Sequence, residues 1–302
     1  MRELELPVFD VRALDGPTPD AARGLLDPLE RWGFVALQGH GLDPALLAEA
    51  YAAAASFFAQ PTAVKRAWER PELGRQRGYT GFGVEHARDQ GVHDLKEFWQ
   101  VGRTLGAEHP LVASGLMPDD LVPATPPDFG PAVRALYEAL DALSQRLLGA
   151  LARGLGLDAP ALQEAVRDGN SVLRVIHYPP TRASDPDGAV RAAAHEDINL
   201  LTLLPASTQP GLQLLDRDGT WRALVTPPDV VICDTGDLMQ VLTGGRLPAT
   251  THRVVNPPGG ANVSRYSLPF FAHPRPDWVL PVDPPVTAGA LLRRRLEENR
   301  VL

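Results

Sequence analysis

In "RAAAHEDINLLTLL", residues 191–204, His195, Glu196 and Asp197 stand directly ahead of an apolar run. Ionisable groups at the mouth of a buried element cost free energy unless a partner offsets their desolvation. In a strand, side chains two apart project from the same face, so His195 and Asp197 can converge while Glu196 points away. His252, 57 residues further on in "TTHRVV", could add a third donor from a distant strand. Two imidazoles and one carboxylate on a common face hold divalent iron and leave coordination positions open. The pair alone is weak, because a chain with 8 His and 37 Asp or Glu in 302 residues holds about one His-x-acid match by chance. A competing reading is a helix that begins at Ile198 and is capped by Glu196 or Asp197.

A second constellation lies 13 and 15 residues beyond His252, where "VSRYSLPFF" carries Arg265 and Ser267 on one face of an expected strand. A guanidinium fork and a hydroxyl directed into a barrel form a receptor for a carboxylate. Arg182 and Ser184 repeat the Arg-x-Ser spacing in "TRASDPDG", but that stretch is a loop and would not bury the arginine. Tyr178, at the end of "LRVIHY", could complete the receptor with its phenol, or serve as an ordinary core tyrosine. Alternation along that strand turns His177 the other way, into a structural role.

These residues need rigid elements to hold them. Asp43–Pro44 reads as an N-cap with proline at the first helical position, opening "DPALLAEAYAAAASFFAQ". From Pro131, apolar residues at steps of three and four predict a second helix that stops at Gly154 and Gly156. After about Val172 the texture changes to short apolar runs, "SVLRVIHY", "INLLTLL", "GLQLLD", "WRALV", "VVIC", "THRVV" and "RYSLPFF", separated by turn residues. Such spacing suggests a sandwich, barrel or jelly roll behind a helical front, and "TAGALLRRRLEENR" returns to helix. The 30 prolines, roughly twice the average usage, fall in short runs that suit rigid turns.

Composition narrows the partners. A net charge of −8 argues against a broad footprint for nucleic acid or an anionic membrane, so small molecules become the default. No run reaches the 18 or so apolar residues of a membrane span, and "MRELELPVFDVRALDG" lacks the pattern of a secretory signal. The single cysteine, Cys233, sits in an apolar run and is expected to pack as a small hydrophobe. A cytoplasmic location follows as the expectation, with the chain a monomer or a weak homo-oligomer.

The chain resembles the isopenicillin N synthase-like family of Fe(II)/2-oxoglutarate-dependent oxygenases over most of its length. "LPVFDV" and "GFVALQGHGL" are similar to the family's opening strands, "HED" to its His-x-Asp, and "GLQLLDRDGTW" to its Gly-Leu-Gln strand. "GDLMQVLTGGRLPATTHRVV" matches the segment with the distal histidine, and "RYS" the Arg-x-Ser. The resemblance implies an α+β fold with a double-stranded β-helix, or jelly-roll, core flanked by helices. It divides one compact unit into a helical region over 1–120, connecting helices over 121–170, the core over 171–275 and a closing helix over 276–302. By the same resemblance His195, Asp197 and His252 would ligate Fe(II), and Arg265, Ser267 and Tyr178 would hold the distal carboxylate of 2-oxoglutarate. With O2, the co-substrate would be decarboxylated to succinate and CO2 while a small molecule is hydroxylated, desaturated or cyclised. Asp197 fills the position that halogenating relatives leave for chloride, which disfavours halogenation.

Two departures stand out: Ile176 and His177 replace the usual Asn and Tyr of plant relatives, and "NPPGGAN" lengthens the gap between His252 and Arg265. The glycine- and aromatic-rich stretch 75–102 is expected near the substrate mouth, with Phe82, His93, Lys96 and Trp99 as candidates alongside Phe271; Tyr79 is a further aromatic there. Two other functions remain open on sequence alone. One is an iron oxidase of the isopenicillin N synthase type that needs no 2-oxoglutarate, the other a non-enzymatic metal-binding jelly roll.

Overall fold

The computed structural model describes residues 2–16, 21–84, 93–186, 188–227, 229–256 and 262–298. Strands β1 (Arg2–Glu5) and β2 (Val8–Asp10) lead into helix α1 (Ala21–Trp32), strand β3 (Phe34–Gln38) and helices α2 (Pro44–Phe58) and α3 (Thr62–Arg66). Strands β4 (Gly78–Thr80) and β5 (Glu97–Val101) precede helices α4 (Pro110–Ala113), α5 (Phe129–Leu155) and α6 (Ala159–Arg167). Then come β6 (Val172–Tyr178), β7 (Ala192–His195), β8 (Leu201–Pro205), β9 (Leu212–Leu215), β10 (Trp221–Val225) and β11 (Val231–Thr235). Helix α7 (Asp237–Leu242), strands β12 (His252–Val254), β13 (Arg265–Ser267), β14 (Phe270–Ala272), β15 (Val279–Leu280) and β16 (Val286–Thr287), and helix α8 (Ala288–Glu298) complete the order.

Local chemistry sets the helix ends. The Asp43 carboxylate accepts from the Ala45 amide at 2.8 Å and Pro44 occupies the first turn, as its missing N–H allows. Helix α5 stops at Gly156, whose φ of +69° is the left-handed conformation of a C-cap. Its buried stripe includes Val133, Leu136, Leu140, Leu143 and Leu147, the residues whose spacing predicts it.

Two sheets face each other. The minor sheet runs β1-β10-β9-β12-β7, and the major sheet β2-β3-β11-β8-β14-β6-β5-β4, with β13 also paired to β6. One apolar cluster lies between the major sheet and the helices, around Phe57, Trp99, Phe129, Leu140 and Phe270. A second, with Phe34, Ile176, Leu214 and Val254, fills the space between the sheets. Each fully buried Leu or Phe contributes roughly 1.5–3 kcal/mol, so the two clusters fix the separation of the layers and hence the site between them.

The structure corrects the expected outline in places. The amino-terminal region carries strands as well as helices, with β1 through β5 joining the two sheets. "INLLTLL" becomes a strand only at Leu201, and "RYSLPFF" splits into β13 and β14 around Leu268 and Pro269. Proline has no N–H for a ladder, and Pro269 contributes its carbonyl to the Arg174 amide at 2.9 Å instead. No helix among the described residues is long and apolar enough to cross a membrane. Most of "NPPGGAN", residues 257–261, lies outside the described residues.

Candidate active site

Strands β7 and β12 pair antiparallel with His195 opposite His252, which sets their rings 4.4 Å apart between centroids. Each ring is fixed by its own strand: His195 Nδ1 lies 2.8 Å from the Ala193 carbonyl, and His252 Nδ1 lies 3.1 Å from that of Thr250. A carbonyl only accepts, so Nδ1 carries the proton in both rings and Nε2 keeps its lone pair. Each Nε2 stands 3.8 Å from Asp197 Oδ1, too far for a hydrogen bond. Three donor atoms, one from each residue and all within 4.8 Å of one another, thus face a common point without pairing. Burial, with the neighbouring His252, lowers His195 to about 4 against the pull of Asp197, so the imidazole is neutral near pH 7.

Asp197 reaches this point by a different route from the one the strand pattern predicts. Strand β7 ends at His195, and Asp197 lies in the turn beyond it, where its carbonyl accepts from the Asp237 amide at 2.8 Å. Its Oδ2 accepts from the Thr202 hydroxyl, which in turn accepts from Asn199 Nδ2 at 2.8 Å. Glu196 is exposed, at a position that also lines the cavity beside the site, and accepts from Thr251 Oγ1 at 2.8 Å. Behind the site, burial and the nearby Asp197 push the Asp234 carboxyl well above the usual range. Buried Cys233 packs as expected.

Across the barrel, β13 and β6 place Arg265 opposite Tyr178 and Ser267 opposite Ile176. The guanidinium sits 5.0 Å over the Tyr178 ring, donates through Nε to the Gln209 carbonyl at 2.9 Å and through Nη2 to Ser207 Oγ at 2.8 Å. Ser207 Oγ is 3.1 Å from Ser267 Oγ. Arg265 is 2% exposed, and its Nη1 is buried with no hydrogen-bond partner among the described residues. A buried guanidinium nitrogen left unmet is a ready site for an anion. His177 faces the helix side, as expected, with Nδ1 2.8 Å from Glu97 Oε1 and its ring stacked on Tyr266.

A cavity of about 400 Å³ opens beside His195 and Asp197. Lys96 and Phe271, both sequence candidates, line it, and Lys96 Nζ pairs with Asp94 Oδ2 at 2.9 Å. Trp99 does not: it is fully buried among Phe57, Trp68 and Phe129 on the opposite face of the sheet. Tyr79 is likewise turned to the helix side and donates to Glu97 Oε2 at 2.5 Å. Phe82 and His93 are exposed and outside the cavity lining, on either side of residues 85–92, which lie outside the described residues. Sequence reasoning missed Arg174, His273 and the Leu292, Arg295 and Leu296 face of α8, all of which line the cavity. Counting by twos would have found the first two, from Tyr178 back to Arg174 and from Phe271 on to His273.

The chain is similar to known proteins over nearly its full length. Residues 169–274 match the family described as the 2OG-Fe(II) oxygenase superfamily, and residues 6–125 match the N-terminal family described as non-haem dioxygenase in morphine synthesis. Gibberellin 20 oxidase 3 of Oryza sativa subsp. japonica is 33% identical over 300 residues, covering 96% of this chain and 78% of that protein. The 2-oxoglutarate-dependent dioxygenase frbA of Dothideomycetidae sp. is 30% identical, over 92% of this chain and 88% of its own length. The crystal structure of a 2OG-Fe(II) oxygenase family protein from Caulobacter crescentus superposes with a TM-score of 0.85 at 36% identity, covering 97% of this chain and 98% of that one.

Proposed function

Since the chain belongs to the 2OG-Fe(II) oxygenase superfamily and is an Fe(II)- and 2-oxoglutarate-dependent oxygenase, we propose that His195, Asp197 and His252 hold the iron and that Arg265, Ser267 and Tyr178 anchor the co-substrate. The observation that carries this reading is two sets of polar atoms that the protein leaves open: three donors, one each from His195, Asp197 and His252, within 4.8 Å of one another, and the buried Nη1 of Arg265, which has no hydrogen-bond partner among the described residues. Both donor sets suit their groups, neutral imidazole and carboxylate for Fe(II), guanidinium and hydroxyl for a carboxylate. When bound, iron and 2-oxoglutarate supply an O2-dependent oxidative decarboxylation that yields succinate and CO2 and oxidises a small-molecule substrate.

The protein's own residues orient and shield that chemistry. The Ala193 and Thr250 carbonyls hold the two imidazoles in the tautomer that exposes Nε2, and Thr202 fixes the rotation of Asp197. Arg265, itself held by Gln209 and Ser207, directs the distal carboxylate, while Ile176, Phe34 and Val254 keep water from the space between the sheets. Lys96 and Phe271 border the substrate. Asp197 at the metal leaves no place for a halide in its stead, so oxygenation, desaturation or ring closure is the proposed outcome. Buried Cys233 suits the reducing cytoplasm, the location we assign.

Kinetics of an arginine variant test the assignment. Losing a charged hydrogen bond to a buried carboxylate costs about 1.5–3 kcal/mol, so Arg265→Gln should raise the 2-oxoglutarate concentration for half-maximal succinate formation about tenfold or more while iron still binds. An unchanged requirement would remove Arg265 from the site.

A further inference from the structure

Resting on the iron site just assigned, we propose that Asn199 is a positioning residue of that site. It makes the Thr202 hydroxyl an obligate donor to Asp197 and so keeps one carboxylate oxygen away from the metal. Asn199 lies in the turn beyond β7 and is fully buried, at 0% exposure. The start of α7 holds this turn: the Asp237 amide donates to the Asp197 carbonyl at 2.8 Å, and the Gly236 amide to the Leu200 carbonyl at 3.3 Å. Close approach requires glycine at 236, because a Cβ there would overlap both the side-chain and the backbone oxygen of Asn199. Backbone packing thus delivers the amide to one place, where Nδ2 donates to Thr202 Oγ1 at 2.8 Å.

Counting protons sets the direction of this chain. A hydroxyl has one proton and two lone pairs. Asn199 donates into a lone pair, so the Thr202 proton goes elsewhere, and Asp197 Oδ2 accepts it. Asp234, opposite Thr202 in the pairing of β8 with β11, is the other carboxyl at this hydroxyl. Burial and the charge of Asp197 push it toward its neutral form, in which it competes poorly for the proton. With Oδ2 engaged, Asp197 is left with Oδ1 toward the two imidazoles, 3.8 Å from Nε2 of His195 and of His252. Stability does not account for the amide. Its Oδ1 is buried with no hydrogen-bond partner among the described residues, a cost that an apolar side chain of similar shape would not carry. What the amide supplies is the direction of one proton.

Anaerobic competition with a chelator gives the Fe(II) affinity of the parent, of His195→Ala, and of a cycle made of Asn199→Leu, Thr202→Val and the double variant. Asn199→Leu should bind Fe(II) about tenfold more weakly, the lower end of what partners behind metal ligands contribute, while its metal-free unfolding midpoint in urea stays near the parent's. Asn199→Asp, close to isosteric, accepts the Thr202 proton where the amide donates, and should lose as much. In the Thr202→Val background, Asn199→Leu should change Fe(II) affinity by no more than about twofold, because its effect passes through the hydroxyl. A purely structural Asn199 would lower the midpoint and act equally in both backgrounds. Unchanged Fe(II) affinity in both Asn199 variants, or losses that multiply in the double variant, would overturn the proposal. Should neither variant fold, NMR of the metal-free parent decides: a slowly exchanging Thr202 hydroxyl proton with a nuclear Overhauser contact to the Asn199 side-chain amide is expected, and a rapidly exchanging one refutes the chain. Equal Fe(II) binding by the parent and His195→Ala would refute the iron site itself, whereas loss in His195→Ala with unchanged Asn199 variants refutes only the role of Asn199.

Discussion

On the helix side of the major sheet, Lys65 donates to Glu97 Oε2 at 2.7 Å, Tyr79 donates to the same oxygen, and His177 Nδ1 meets Oε1 at 2.8 Å. Between the sheets, His195, Asp197 and His252 bring three donors together and none bonds another. Both clusters are packed into the protein with two or more ionisable residues. The first is closed on itself, so its chemistry is consumed in holding α3 to β4 and β5. The second is held from behind, by Ala193, Thr250 and Thr202, and left open in front. We place the function in the cluster that remains unfinished.

Breaking the open cluster should cost activity and spare the fold. His195→Ala or Asp197→Ala is expected to lower succinate formation by at least about a hundredfold, since even the partners behind metal ligands are worth that much. The unfolding midpoint of the metal-free protein should barely move. Breaking the closed cluster should do the reverse. Glu97→Ala strands buried Lys65 and should cost about 3–5 kcal/mol in urea unfolding, with turnover per folded molecule kept.

The pH dependence of the closed cluster follows from the same contacts. Burial raises the Glu97 carboxyl, but hydrogen bonds from His177, Lys65 and Tyr79 outweigh it and hold the group below its unfolded value of 4.5. A folded value below the unfolded one means that this stabilisation is complete above 4.5 and is lost as pH falls through the folded value. Glu97→Gln should flatten that acid limb of the stability profile.

Smaller effects sharpen the contrast. Thr202→Val removes the donor to Asp197 and should weaken Fe(II) binding by about 10- to 100-fold, measured by competition with a chelator. Glu196→Gln, at an exposed position where the side chain accepts from Thr251, should stay within about 0.5 kcal/mol of the parent in stability and keep its iron.

Much of this was legible in the sequence wherever the cause is local. The Asp43–Pro44 helix start and the Gly156 stop follow from backbone chemistry at those residues. The His-x-Asp pair and distal histidine, the ligands proposed above, stand out by residue type and order without knowledge of register, although the turn after β7, not the pleat, places Asp197. Where register decides, sequence alone misjudged. Lys96 and Trp99 are three apart at β5, so they face opposite sides of a strand, and only Lys96 reaches the cavity. The face of α8 over the cavity depends on tertiary packing and leaves no local mark.

The most direct test of the central claim is a titration of the anaerobic Fe(II) protein with 2-oxoglutarate, followed by visible absorption. The account predicts a metal-to-ligand charge-transfer band that saturates with the co-substrate and is missing in His195→Ala. No band from the parent protein at saturating iron and 2-oxoglutarate would contradict it.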